Sequence, residues 1–248
     1  MTEPELSYLD VGERRIAYRR RAGRSPTLLF LPGYASDMEG AKAVALDGFA
    51  ESRGLAMLRL DYSGTGSSGG KFEEGTLAIW LEEALAAVDE LTKGPLILVG
   101  SSMGGWIALH LALLRADRIQ ALIGIAAAPD FTDWGFTAEQ KAAVQRDGKL
   151  QEPNPYGPEP QLFTRAFWDS GQQLRLLGSE IPIGCPVRLL HGELDQEVPL
   201  DIAFQLMRAL RSSDVQLIVL KGGGHRLSEP HEIRAILSIV EALLEPSA

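Results

Sequence analysis

The sequence predicts an α/β fold: a mostly parallel central sheet with helices on both faces and an inserted helical lid. Three observations carry that expectation. Apolar runs recur where strands would be covered on both sides, helical periodicities lie between them, and one long segment, 129–182, breaks the alternation.

The elements follow in chain order. Leu6, Tyr8 and Val11, then Ile16 and Tyr18 among arginines, alternate weakly, as in an exposed antiparallel pair. Thr27–Leu31 is continuously apolar and reads as a buried strand, followed by similar runs at Leu55–Leu60, Leu96–Val99, Ala121–Ala127, Val187–Leu190 and Val215–Leu220. Leu77, Trp80, Leu81, Ala84, Val88 and Leu91 recur at helical spacing, as do Ile233, Ile236, Val240 and Leu243 near the C-terminus. Segment 129–182 holds no strand-like run. It is rich in Pro, Gly and aromatic residues, among them Phe131, Trp134, Phe136, Tyr156, Phe163, Phe167 and Trp168. Because the α/β pattern resumes after it, the segment reads as a helical lid within one domain spanning 1–248, not as a second domain.

Composition sets the outer limits. The chain has 248 residues, 45% of them hydrophobic and 23% charged, which is ordinary for a soluble globular protein and wrong for a disordered one. The net charge of −9 argues against nonspecific nucleic-acid binding, which needs a basic surface. Cys185 is the single cysteine, so no intrachain disulfide or thiolate-rich metal site can form, and a reducing compartment is permitted. The acidic Met1–Glu5 start leads into no apolar signal region, and no stretch approaches the roughly 20 apolar residues of a membrane span. The expectation is a cytoplasmic protein with no cofactor, no metal and no nucleic-acid partner.

Two stretches fit G-x-S-x-G, and context separates them. Gly100-Ser101-Ser102-Met103-Gly104 follows the buried strand Leu96–Val99 and opens an apolar helix near Gly105–Arg115. That is the setting of a nucleophile elbow, whose sharp turn lifts Ser102 above the sheet and needs small neighbours where strand and helix backbones meet. Gly66-Ser67-Ser68-Gly69-Gly70 has neither the strand running into it nor the helix starting on it, so Ser68 is a poor nucleophile. The same stretch gives a formal G-x-G-x-x-G at Gly64–Gly69. Its acidic partner Asp89 falls inside a helix instead of ending a strand, and Lys71 is not in P-loop spacing, so a plain turn is the better reading.

A serine nucleophile needs a base and a group that orients the base. Of four histidines, His110 sits within the helix after Ser102, His231 opens the last helix, and His191 ends a strand beside Gly192. His225 follows a strand through Gly222-Gly223-Gly224, a loop able to aim an imidazole over the sheet, and is the expected base. Asp195, in the turn after Val187–Leu190, is the expected acid, with Glu193 its local competitor. The oxyanion hole is expected from the N–H groups of Met103 and of Tyr34, in the loop after Leu31.

With these residues assembled, the chain resembles the α/β-hydrolase superfamily across nearly its whole length. Within it, the chain is similar to the branch of palmitoyl-protein thioesterases also known as mycophenolic acid acyl-glucuronide esterases. The likeness lies in Phe30–Tyr34, Asp61–Ser68, Gly94–Trp106, Cys185–Gly192 and His225-Arg226. It implies an α/β-hydrolase fold, a Ser102–Asp195–His225 triad, and hydrolysis of thioesters or activated oxygen esters, with a small molecule or an S-acylated protein as substrate. It also makes a cytoplasmic, bacterial-type relative the fitting expectation, since the mitochondrial members carry a transit peptide. Trp134, Phe163, Phe167 and Trp168 are the expected acyl-binding wall, and Arg165 or Arg175 a weaker candidate for meeting an acidic leaving group. The same triad would also serve a carbon–carbon bond hydrolase or a peptidase, and the scaffold alone would serve a non-catalytic binder.

Overall fold

Side chains alternate across a strand, so a run that is apolar at every position must be covered on both faces. That rule lays out the sheet. In the computed structural model, which describes residues 3–154 and 157–244, the chain enters through β1 (Leu6–Val11), β2 (Arg14–Arg21) and β3 (Arg24–Leu31). Next come α1 (Ala41–Arg53), β4 (Leu55–Leu60), α2 (Leu77–Leu91), β5 (Leu96–Ser101), α3 (Met103–Leu114) and β6 (Ile119–Ile125). An excursion follows, built of α4 (Phe131–Trp134), α5 (Ala138–Asp147), β7 (Lys149–Glu152), β8 (Gln161–Thr164) and α6 (Arg165–Gln173). The chain closes through β9 (Val187–Gly192), α7 (Leu200–Ala209), β10 (Val215–Leu220) and α8 (Pro230–Leu244).

The eight-stranded sheet has the order β1-β2-β4-β3-β5-β6-β9-β10. The pairs β1–β2 and β2–β4 are antiparallel and the others are parallel. Alternation sorts the core into two layers. Leu29, Leu31, Leu96 and Leu98 pack with Trp80, Trp106 and Ile107 of α2 and α3, whereas Leu28, Phe30, Ile97 and Val99 pack with Leu46 of α1 and Ile236 of α8. Each such aliphatic side chain, fully buried, contributes about 1.5–3 kcal/mol.

Two helices have no counterpart in the periodicity reading. In α1 the buried positions are Ala43, Leu46, Asp47 and Ala50, so the apolar stripe is faint and interrupted by an acid. Asp47 is buried only because Arg21 of β2 pairs with it at 2.7 Å, a partner no local window contains. In α7 the stripe is three residues, Ile202, Ala203 and Leu206.

The excursion between β6 and β9 departs from the expected helical lid. It carries three helices, but also an antiparallel hairpin in which Lys149 pairs with Thr164 and Glu152 with Gln161. Each strand is four residues long and mixed in polarity, and a proline-containing loop separates them, so neither has a periodicity long enough to read. Tyr156 lies outside the described residues. Among the described residues, no helix is long and apolar enough to cross a membrane.

Chain order and sheet order diverge at one place. From β3 the chain crosses to β4 on one side, then returns to place β5 on the other side of β3. The loops leaving β3 and β5 therefore run apart, opening a crevice at the carboxyl ends of the strands, where open α/β sheets bind their ligands. The loop after Leu31 and the turn at Ser102 border it.

Candidate active site

Ser102 stands between β5 and α3 with φ 54° and ψ −120°, a conformation side-chain-bearing residues seldom adopt. Its neighbours explain why the turn needs glycines. A methyl group on Gly104 would sit 2.1 Å from the Leu31 carbonyl oxygen, and one on Gly100 would sit 2.3 Å from that of Gly104. Strand, turn and helix thus approach to backbone contact, and Ser102 is pushed out toward the crevice.

His225 and Asp195 come to it from two other loops. Asp195 follows β9, where its Oδ1 accepts the amide hydrogens of Glu197 and Val198, each at 2.9 Å. Its Oδ2 accepts from His225 Nδ1 at 2.9 Å. That bond fixes the imidazole tautomer, leaving Nε2 to accept from Ser102 Oγ at 3.1 Å. Burial pushes the Asp195 carboxyl up, but the bonds from His225 and the two amides outweigh it and hold the group below the ordinary carboxylate range. The glycine loop before His225 is pinned to the β9 turn: Leu194 N donates to Gly223 O at 2.8 Å, and Gly222 N to Glu193 Oε2 at 2.9 Å. Glu193, the competing acid, is thereby occupied in holding the loop.

The remaining candidates have structural partners. His110 Nε2 lies 2.9 Å from Leu174 O, and burial lowers its pKa. His191 Nε2 lies 2.9 Å from Val198 O and shapes the Asp195 turn, while His231 is exposed. Ser68 accepts from Ala17 N at 2.7 Å and donates to Asp61 O at 2.8 Å, so its hydroxyl joins β2 to the residue that follows β4. Below it, Asp61 holds the glycine-rich turn through Ser67 N and also binds Met38 N.

A cavity of about 830 Å³ opens over Ser102 and His225. From the excursion it is lined by Phe131, Trp134, Phe136 and Phe163 together with the polar Gln140, Glu152, Asn154 and Gln161; Lys42, Glu197 and Arg226 also line it. Of the four expected acyl-binding aromatics, Trp134 and Phe163 line the cavity, whereas Phe167 and Trp168 do not. Phe167 is 1% exposed, wedged between Tyr34 and Trp80 at ring separations of 4.7 and 5.6 Å. Trp168 turns away and donates from Nε1 to Thr132 O at 2.8 Å. On a single helical turn, adjacent positions cannot both face one wall, which is why an aromatic count misassigns them. Arg165 and Arg175 are likewise off the cavity, paired with Asp169 at 3.4 Å and Asp133 at 3.0 Å.

Lys42, Glu197 and Arg226 carry no local pattern that marks them as site residues. Glu197 Oε2 lies 3.7 Å from His225 Nε2; burial raises its pKa while His225 and Arg226 oppose the rise. Lys42 donates to Arg226 O, and burial lowers its ammonium to about 8, with Arg226 acting in the same direction. The proximity of Arg226 to His225 was the one available signal. Lys42 comes from α1, the helix the periodicity did not reveal.

The loop after β3 meets the serine turn from the opposite side. A methyl group on Gly33 would lie 3.3 Å from Ser102 Cβ. Tyr34, next in sequence, lines the cavity while its hydroxyl donates to Leu162 O on β8; burial pushes that phenol well above its usual range, so it stays a neutral donor. Met103 is the first residue of α3, where helical amides lack intrahelical acceptors.

A parallel sheet with a switch point, a strained serine turn on its central strand and a cavity above them define the α/β hydrolases as a class, and the molecule is a hydrolase. Residues 28–236 match the alpha/beta hydrolase family, and the chain belongs to it. Human mitochondrial palmitoyl-protein thioesterase ABHD10 is 40% identical over 234 residues, which span 93% of this chain and 76% of that protein. The mouse counterpart is 39% identical over 245 residues, spanning 97% of this chain and 82% of it. Among solved structures, a putative hydrolase from Agrobacterium vitis S4 superposes with TM-score 0.91 at 40% identity, covering 98% of this chain and 99% of that one. Mouse α/β hydrolase domain-containing protein 10 superposes with TM-score 0.91 at 38% identity, covering 97% and 98%.

Proposed function

We propose that this protein is a serine hydrolase of acyl thioesters and activated oxygen esters, working through Ser102, His225 and Asp195. The observation that carries the reading is the unbroken hydrogen-bond chain from Ser102 Oγ through the imidazole to the Asp195 carboxylate, set beneath a cavity lined in part by aromatic residues. In this reading Ser102 Oγ attacks the acyl carbon as its proton passes to His225 Nε2. Asp195 holds the ring and stabilises the imidazolium. The oxyanion is held by the N–H groups of Tyr34 and Met103, a pair of donors of the kind worth about 2.7–4 kcal/mol each. The imidazolium returns the proton to the leaving thiolate or alkoxide. Water, deprotonated by the same ring, then releases the carboxylic acid from Ser102.

The aromatic part of the lining suits an acyl chain, and Lys42 and Arg226 suit the leaving group. The names of the mammalian relatives make S-acyl chains the first substrates to try, and the resemblance noted in the sequence puts acyl glucuronides second. We read the chain as one hydrolase domain with 129–182 as its lid. A reducing compartment such as the cytoplasm is consistent with the lone Cys185, although the relatives are named as mitochondrial.

A fluorophosphonate probe should label Ser102, and Ser102→Ala should lose both label and turnover. A panel of S-acyl thioesters, aryl esters and acyl glucuronides of graded chain length then ranks substrates. Absence of labelling in the native protein, or unchanged turnover in Ser102→Ala, overturns the proposal.

A further inference from the structure

The loop that carries one of the two proposed oxyanion donors is fastened to the β7–β8 hairpin by a single side chain. Tyr34 donates its hydroxyl to Leu162 O on β8. Its ring stacks on Phe163 at 4.9 Å with planes 12° apart, and lies 4.7 Å from Phe167 and 5.1 Å from Phe72. From the sheet side the far end of the loop is held as well, since Met38 N donates to Asp61 Oδ1 and Arg59 Nη1 to Met38 O, each at 2.7 Å, but those bonds lie four residues beyond Tyr34. The turn's own bond is Ser36 N to Gly33 O at 3.2 Å, and Ala35 sits at φ 53°. Phe163 faces two ways at once, lining the cavity and supporting the Tyr34 ring.

We infer that Tyr34 is a positioning residue whose phenol ties the oxyanion loop to the hairpin, so that the seating of the hairpin sets the rate of the chemical step. The Tyr34 amide is useful only where the oxyanion forms, and a displacement of about 1 Å at such a donor can cost on the order of 10²-fold in rate. The backbone of Tyr34 can move only as far as its ring and hydroxyl allow. The hydroxyl is held by β8, and the ring by Phe163 of β8 together with Phe72, Trp80, Phe131 and Phe167; β8 lies far along the chain and belongs to the excursion. The hairpin thus does two things: it walls the acyl pocket through Phe163 and aims a donor through Tyr34. An acyl chain pressing on Phe163 is transmitted to the amide through the stacked pair. This rests on the serine-hydrolase reading above.

The test compares Tyr34→Phe, Phe163→Ala and the double variant on p-nitrophenyl acetate, too short to reach the aromatic lining, and on p-nitrophenyl decanoate. Tyr34→Phe keeps the ring and removes only the bond to Leu162. It should lower kcat on the acetate by roughly 5- to 30-fold with KM nearly unchanged, short of the ~10²–10³-fold cost of deleting a donor. The inhibition constant of a trifluoromethyl ketone, which mimics the tetrahedral intermediate, should weaken by the same factor. Phe163→Ala should also lower kcat on the acetate, and the double variant should lose less than the product of the two singles. If Tyr34→Phe lowers only the melting temperature, or Phe163→Ala raises only KM for the decanoate, the coupling is refuted. Full activity in Ser102→Ala overturns the underlying reading instead, and is distinguishable because that variant leaves Tyr34 and the hairpin intact.

Discussion

Replacing Ser102 with glycine should make the protein more stable while abolishing its chemistry. At φ 54° and ψ −120° the Cβ of Ser102 is crowded by its own backbone, at a cost on the order of 1–3 kcal/mol. The surroundings enforce the conformation: Ser102 N donates to Ile125 O at 2.9 Å, and its carbonyl accepts from Gly105 N at 2.9 Å and Ala128 N at 3.1 Å. Glycine escapes the crowding but gives the unfolded chain more freedom, a loss of about 0.5–1 kcal/mol. Ser102→Ala is the matched control. Both variants lose the bond to His225, so their difference isolates the backbone, and glycine should exceed alanine by roughly 0.5–2 kcal/mol. In a domain of this size about 1 kcal/mol moves the melting temperature by 2–4 °C, so the gap should be roughly 1–8 °C. Thermal unfolding by circular dichroism, with urea titration beside it, measures it. Turnover of p-nitrophenyl esters should fall in both variants by several orders of magnitude, up to about 10⁶-fold. A glycine variant no more stable than the alanine one would mean that the turn stores no strain, and the argument for the elbow's geometry would fail.

Other expectations follow from the same contacts. Ser68→Ala leaves the buried amide of Ala17 without its acceptor and should cost about 1–3 kcal/mol of stability, while kcat/KM for short esters stays that of the parent; loss of activity at parental stability would point to Ser68 as the nucleophile. Asp195 has a folded pKa below its unfolded value of about 3.9, so its ionised form contributes stability in full above that pH and loses it as pH falls through the folded value. Asp195→Asn should therefore melt below the parent at pH 7, with the gap closing below about pH 4; a gap constant down to acid pH would contradict the assignment.

The strands β3, β5, β6 and β9 were legible because burial on both faces demands apolar residues at every position, a constraint that a short window of sequence records in full. Ser102 could be nominated for a related reason: an elbow needs a strand before it, a helix after it and glycines at its close approaches, all within a few residues. Asp195 and His225 could be nominated from their places after β9 and β10. Their convergence on Ser102 required strands β5, β9 and β10 to share one sheet edge.

What stayed hidden depends on partners distant in the chain. Helix α1 buries an aspartate because an arginine from β2 neutralises it, and the hairpin exists because two short polar strands meet across a loop. Phe163 and Phe167 look alike in sequence, yet one lines the cavity and the other fills the space behind Tyr34. Sequence alone determined the layered α/β class and the order of the buried strands, and it nominated Ser102, Asp195 and His225, because each is written in local pattern and turn chemistry. Only the tertiary structure decided which residues of the excursion line the cavity, that Lys42, Glu197 and Arg226 line it too, and that Tyr34 ties the loop after β3 to β8. These are contacts between segments far apart in the chain, and no periodicity encodes the distance between them.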